Sequence, residues 1–280
     1  MSQALLLGRD HLKLGSIGAV SEGPAAIAIS KGGANKTYQH TDPNEDAAAF
    51  AIGTAGLFVA VADGHNGAAG AEIALRYLLA HCAPSWTDSD CEPRDEPAWR
   101  EAILRAVVEI NVEILKDAAR VGVAPPGSTL SIAVVRPRDN LLIHAAIGDS
   151  PLYEVSRGGG LTELGFEAQS DLRTRYLGHQ TETHESLRDN CLVGSRPLDD
   201  VRAIVLASDG LTESGIGLVD PATAVVQIVT TSAERQPDLR PLETARAVVE
   251  AALASHRENR AGDNAAAGVL WLEEARDQSR

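Results

Sequence analysis

The chain has 280 residues, 39 acidic and 25 basic, giving a formal charge of −14, and 44% of its residues are hydrophobic. That acidity argues against sequence-independent binding to nucleic-acid phosphates or anionic lipid, and no run approaches the ~20 apolar residues of a membrane-spanning helix. Cys82, Cys91 and Cys191 are odd in number and lack metal-site spacing, so free thiols are expected rather than disulfides or a zinc site. One cytoplasmic domain over residues 1–280, with its core at about 25–272 and peripheral termini, is expected, as a monomer.

In chain order, "AAIAIS", "AAAFAIG" and "GLFVAVA" predict three short strands between residues 25 and 62. After Gly64 the spacing of Ile73, Leu75, Leu78 and Leu79 predicts a helix to about Cys82. Residues 84–97 are acidic and broken by proline, which predicts an exposed loop, followed by a long amphipathic helix ending near Gly122. "STLSIAVV", "NLLIHAAIG" and "PLYEV" predict an antiparallel meander. Residues 156–200 have weak periodicity and predict a surface region with a short helix near 169–177. "VRAIVLA" predicts a strand, residues 221–231 and 241–257 helices, and "AAAGVLWLE" a last strand. Strict β–α alternation is absent. The expected fold class is therefore α+β, a β-sandwich of two antiparallel sheets with helices packed outside.

The carboxylates fall in a pattern. Glu45 and Asp46 precede one apolar strand, Asp63, Asp149 and Asp209 end three others, and Asp263 precedes the last. Any one of them reads as a turn or capping residue, but five strand ends sharing the feature point to convergence. Converging carboxylates repel and raise one another's pKa, and a divalent cation relieves that. Oxygen-only donors select a hard ion such as magnesium or manganese. Several aspartates favour two ions, a centre suited to hydrolysis at phosphorus.

"NEDA", "VADGHNG", "GSTLSIAVV", "AAIGDSPLYEV", "LASDGLTES" and "GDNAAAGVL" resemble, in order and rough spacing, the motifs of the metal-dependent serine/threonine protein phosphatases of type 2C (PPM-type), in particular bacterial members. The resemblance implies an α-β-β-α sandwich that hydrolyses phosphoserine and phosphothreonine in proteins, using Mg2+ or Mn2+, two ions per chain and a weaker third. It implies that Asp63 bridges both ions, that the Gly64 carbonyl binds one, and that Asp209 and Asp263 complete one shell. Asp46 holds the other ion, with Glu45 acting through water, and Asp149 shares the third with Asp209. His65 matches the general acid to the leaving oxygen. The partner implied is a phosphoprotein, the product of a serine/threonine kinase.

Two departures stand out. No arginine occupies the window before Glu45 where many members bind substrate phosphate, and Lys36 and His40 are the candidates to replace it. The family's signature after the "GDS" strand is also not legible in 161–178. The missing arginine keeps an alternative open, a non-catalytic phosphatase-like regulator that binds a phosphoprotein or partner.

Overall fold

The computed structural model describes residues 1–37, 40–88, 95–165, 176–178 and 183–272. In chain order the strands and helices are β1 (Ser2–Leu7), β2 (Gly18–Glu22), β3 (Ala25–Ser30), β4 (Ala47–Ile52), β5 (Leu57–Ala62), the short β6 (Gly64–His65), α1 (Ala69–Tyr77), α2 (Ala83–Thr87) and α3 (Glu96–Val121). These are followed by β7 (Gly127–Ser128), β8 (Leu130–Arg136), β9 (Leu141–Ile147), β10 (Leu152–Ser156), β11 (Leu161–Glu163), α4 (His184–Asp189) and β12 (Leu192–Pro197). The chain ends in β13 (Val201–Ala207), α5 (Pro221–Ala233), α6 (Arg240–Asn259) and β14 (Ala265–Trp271). One sheet runs β1-β4-β5-β8-β9-β12 and the other β11-β10-β13-β14-β3-β2, while β6 and β7 form a ribbon of their own. Every pairing within these sheets is antiparallel.

Side-chain alternation explains why β5 and β14 are apolar on every residue. In β5, Phe58, Ala60 and Ala62 face the layer of α1, α2 and α3, whereas Leu57, Val59 and Val61 face the other sheet. Successive residues of a strand point to opposite faces, and both faces of this one are covered. In β14, Ala265, Ala267, Val269 and Trp271 pack toward α5 and α6, and Ala266 and Leu270 pack between the sheets. The result is four layers, helix, sheet, sheet, helix, as the sequence predicts.

The differences from expectation have local causes. β8 and β9 form a hairpin, but "PLYEV" (β10) does not continue it as a meander; it crosses to the second sheet and pairs with β13 and β11. A hairpin and a sheet-to-sheet crossover have the same strand pattern, so periodicity does not separate them. Residues 84–87 are helical rather than an exposed loop: α1 passes through a π-turn, Leu78–Cys82, into α2. Trp86 there is buried, its ring centroid 5.9 Å from that of Phe58. Of the helix expected at 169–177, residues 169–175 lie outside the described residues, and Leu177 bridges to Ser128 in extended form. The helix of this region is α4, opened by Thr183 and Ser186 in a reciprocal capping box. β1 and β2, which precede residue 25, are edge strands of the two sheets. β12 was missed because its Gly194 and Pro197 dilute the strand pattern. A sheet edge tolerates both.

Gly268 sets how closely the sheets approach, since a Cβ there would lie 2.5 Å from Cγ2 of Val59. Gly268→Ala is expected to lower stability by about 1–3 kcal/mol through overpacking, read as a lower midpoint in urea denaturation. Val59→Ala in the same chain should recover part of that loss.

Candidate metal-binding active site

Antiparallel pairing brings the acids together. Ala47 of β4 pairs with Ala62 of β5, so Asp46 at the entry of one strand neighbours Asp63 at the exit of the next. Ala207 of β13 pairs with Ala267 of β14, which makes Asp209 and Asp263 neighbours in the second sheet. Two hydrogen bonds join the sheets at this end: Ser208 Oγ donates to Asp46 Oδ2 at 2.6 Å, and the Glu45 N–H donates to Asn264 Oδ1 at 2.8 Å. Asp46, Asp63, Asp263 and Glu45 are all buried.

Backbone and hydroxyl groups hold Asp63 in place. Its N–H donates to Thr129 Oγ1 at 3.1 Å, its carbonyl accepts from the Thr129 N–H at 2.9 Å, and Thr129 Oγ1 lies 2.7 Å from Ser150 Oγ. Next to it the Gly64 N–H donates to the Glu45 carbonyl at 3.1 Å, and a Cβ at 64 would lie 2.5 Å from that carbonyl oxygen. Only glycine permits so close a backbone approach. The carboxylate of Glu45 is committed through Oε1, which accepts the N–H groups of Thr41 and Asp42 at 3.1 and 3.0 Å.

The electrostatics follow from crowding. Burial pushes the Asp63 carboxyl well above the ordinary range, and the charges of Asp209, Asp46 and Asp263 add to it. Burial does the same to Asp209, with Asp263 and Asp149 contributing. Asp46 is raised to about 7, chiefly by burial and against the Ser208 hydrogen bond. His65 is pulled the other way: burial lowers its pKa, and the Asp149 carboxylate opposes that.

The two phosphate candidates part company here. Lys36 is buried among the acids, its Nζ 2.9 Å from Asp263 Oδ1 and 3.8 Å from Glu45 Oε2, whereas His40 is exposed. One acid went unnoticed in the sequence. The Glu213 N–H bonds the Asp209 carbonyl at 2.7 Å, so one turn of chain carries Glu213 back over the site. Its spacing of four from Asp209 was the available signal. Burial raises the Glu213 carboxyl to about 7, with a hydrogen bond to Asp263 adding to the shift.

Oxygens of Asp209, Glu213 and Asp263 lie within 4.8 Å of one another, a span that one cation with bonds of about 2.0–2.6 Å can bridge. The donors are all carboxylate oxygens, without cysteine or histidine, so the residues present fit a hard divalent ion. A cavity of about 480 Å³ opens beside them. Asp149, Asp209 and Glu213 form its acidic wall, His65 and Tyr176 an aromatic one, and Thr212 and Ser214 the rest.

A sandwich of this kind, with an oxygen-only donor set at one end, is the architecture of a metal-binding hydrolase. A family profile described as protein phosphatase 2C matches residues 34–254, and the chain belongs to that family of serine/threonine protein phosphatases. Among solved structures it is similar to the serine-threonine phosphatase 2C of Toxoplasma gondii, at 16% identity and a TM-score of 0.66, over 92% of this chain and 99% of that one. It is also similar to the serine/threonine phosphatase Stp1 of Staphylococcus aureus, at 16% and 0.63 over 94% and 98%. The catalytic domain of the phosphatase PstP, solved in complex with two manganese ions, aligns at 18% and 0.59 over 92% and 100%. No curated protein matches the chain by sequence. Among the described residues no helix is long and apolar enough to cross a membrane.

The raised carboxyls predict a pH dependence. A carboxyl whose folded pKa lies above its unfolded value of about 3.9 stabilises the fold fully below that value, and the contribution is lost as pH rises through the folded pKa. For Asp46 the window runs from about 4 to about 7. The melting temperature of metal-free protein should therefore fall across this window, and saturating Mn2+ should restore it more at pH 8 than at pH 5. Asp46→Asn should flatten the first effect and remove most of the second in scanning fluorimetry.

Proposed function

We propose that this phosphatase hydrolyses phosphoserine and phosphothreonine in proteins, at a centre holding two Mg2+ or Mn2+ ions and a weaker third. The observation that carries the reading is the convergence of Asp46, Asp63, Asp209 and Asp263 at one end of the sandwich, beside an open pocket. Asp46, Asp63, the Gly64 carbonyl, Asp209 and Asp263 would hold the two main ions, with Glu45 acting through water. Asp149 and Asp209, joined by Glu213, would hold the third. When bound, such ions neutralise phosphate charge and acidify an attacking water.

The chain's own residues supply the rest. Water attacks phosphorus in line; a new P–O bond forms as the ester P–O bond breaks, and the departing seryl or threonyl oxygen takes a proton from His65. A phosphate dianion beside His65 favours its protonated form, against the effect of burial. Lys36, whose ammonium is paired with Asp263 and Glu45, is the candidate for the positive charge that the family's arginine gives the phosphate. A lysine offers a point charge rather than a two-pronged contact. The substrate is a phosphoprotein made by a serine/threonine kinase.

Lys36 also favours a second reading. Its ammonium already partners Asp263 and Glu45, as in a non-catalytic domain that binds a phosphoprotein without turnover. Mn2+ titration calorimetry and turnover assays separate the two.

Mn2+-dependent hydrolysis of p-nitrophenyl phosphate and phosphothreonine peptides should fall about 100-fold or more in Asp63→Asn and in Asp209→Asn, the scale of several kcal/mol of lost charge stabilisation. Activity that survives both changes, or excess chelator, rules out the metal-dependent reading. His65→Ala should slow the peptides by about 100-fold but p-nitrophenyl phosphate far less, because its leaving group needs little protonation. Equal losses on both would remove His65 from the proton-donor role.

A further inference from the structure

The Nδ1 of His65 is buried and has no hydrogen-bond partner among the described residues. The ring also interacts with the Asp63 backbone, but at Nδ1 its rotamer depends on packing. The packing here is a second ring. The centroid of Tyr176 lies 4.0 Å from that of His65, with the planes tilted by 35°, a close tilted ring contact.

The backbone delivers Tyr176 to this position. Leu177 exchanges two hydrogen bonds with Ser128, at 2.9 and 3.1 Å, and Ser128 belongs to β7, the ribbon partner of the His65 strand β6. The Leu177 side chain is buried, and the Gly178 N–H donates to Oδ1 of Asn111, a buried residue of α3, at 2.6 Å. Residues 176–178 thus join the β6–β7 ribbon through a single antiparallel bridge, Leu177 to Ser128, and tie it to the helical layer. Gly127 lies beside both side chains: a Cβ there would sit 3.4 Å from the Cβ atoms of both His65 and Tyr176. Both rings then line the pocket that Asp149 and Asp209 also face.

We infer that Tyr176 is a positioning residue of the phosphatase reaction, whose ring packs on the His65 imidazole and holds it toward the departing side-chain oxygen. The inference rests on the proton-donor role proposed for His65. It assigns the effect to the ring rather than the hydroxyl, so phenylalanine should serve and alanine should not.

With Mn2+ bound, Tyr176→Ala is expected to lower kcat on a phosphothreonine peptide about tenfold, the order of effect of a modest misplacement, with KM within about twofold. Hydrolysis of p-nitrophenyl phosphate should change by less than about twofold, as its leaving group needs little proton donation. Tyr176→Phe should stay within about twofold of wild type on both substrates, since it keeps the ring. In a His65→Ala background Tyr176→Ala should cost nothing further, because two residues acting as one unit are not additive. Equal losses on the two substrates, an unchanged peptide rate with alanine, or an additive loss in the His65→Ala background would overturn the inference.

Histidine-selective NMR of the metal-free protein tests the ring pair without turnover. The His65 ring protons should carry a ring-current shift that Tyr176→Ala removes and Tyr176→Phe keeps. Unchanged resonances overturn the placement whatever the activity. A wild type that retains the shift yet hydrolyses neither substrate instead sinks the proton-donor role of His65, and this inference with it.

Discussion

Repulsion among buried carboxylates is the constraint around which the rest of this structure is arranged. Asp46, Asp63, Asp209 and Asp263 meet at one end of a sandwich whose inter-sheet core is mostly alanine, valine, leucine and isoleucine, with Phe50. Each acid raises the cost of ionising the next, and burial adds to it. Such a cluster lowers stability unless something positive enters it. Lys36 supplies one charge from within the chain, and a donor set of carboxylate oxygens is suited to divalent ions for the rest.

The fold tolerates the cluster because rigid elements hold every member. Asp46 and Asp63 sit at adjacent strand ends of one sheet and Asp209 and Asp263 at adjacent ends of the other. The hydroxyls of Thr129, Ser150 and Ser208 and the amide of Asn264 stitch these ends together. Strands hold functional groups with a precision that mobile loops do not match. The aromatic side of the pocket is built differently, by packing of Tyr176 on His65 beside Gly127.

Much of this is legible in the sequence. The two-faced apolar strands, the long helix α3 and the placing of acids at strand ends all follow from periodicity, which is local. What escaped were the features without a local signature. β12 is an edge strand of mixed character, α2 looked like loop because prolines and acids surround it, and the crossover of β10 has the same pattern as a hairpin. Glu213 has only the weak local signal of its spacing from Asp209, which a solvated turn glutamate shares. Only one turn of backbone returns it to Asp209.

Local chemistry therefore determined the kinds of element, the family and the chemical character of the site, because those depend on residue type and spacing along the chain. Contacts between distant segments depend on how two sheets close on each other, and they emerged with the fold. That closure put Lys36 between Glu45 and Asp263, left His40 at the surface, and brought Tyr176 onto His65 from more than a hundred residues away. A side chain's partners are set by the three-dimensional path of the whole chain, and no stretch of sequence encodes that path alone.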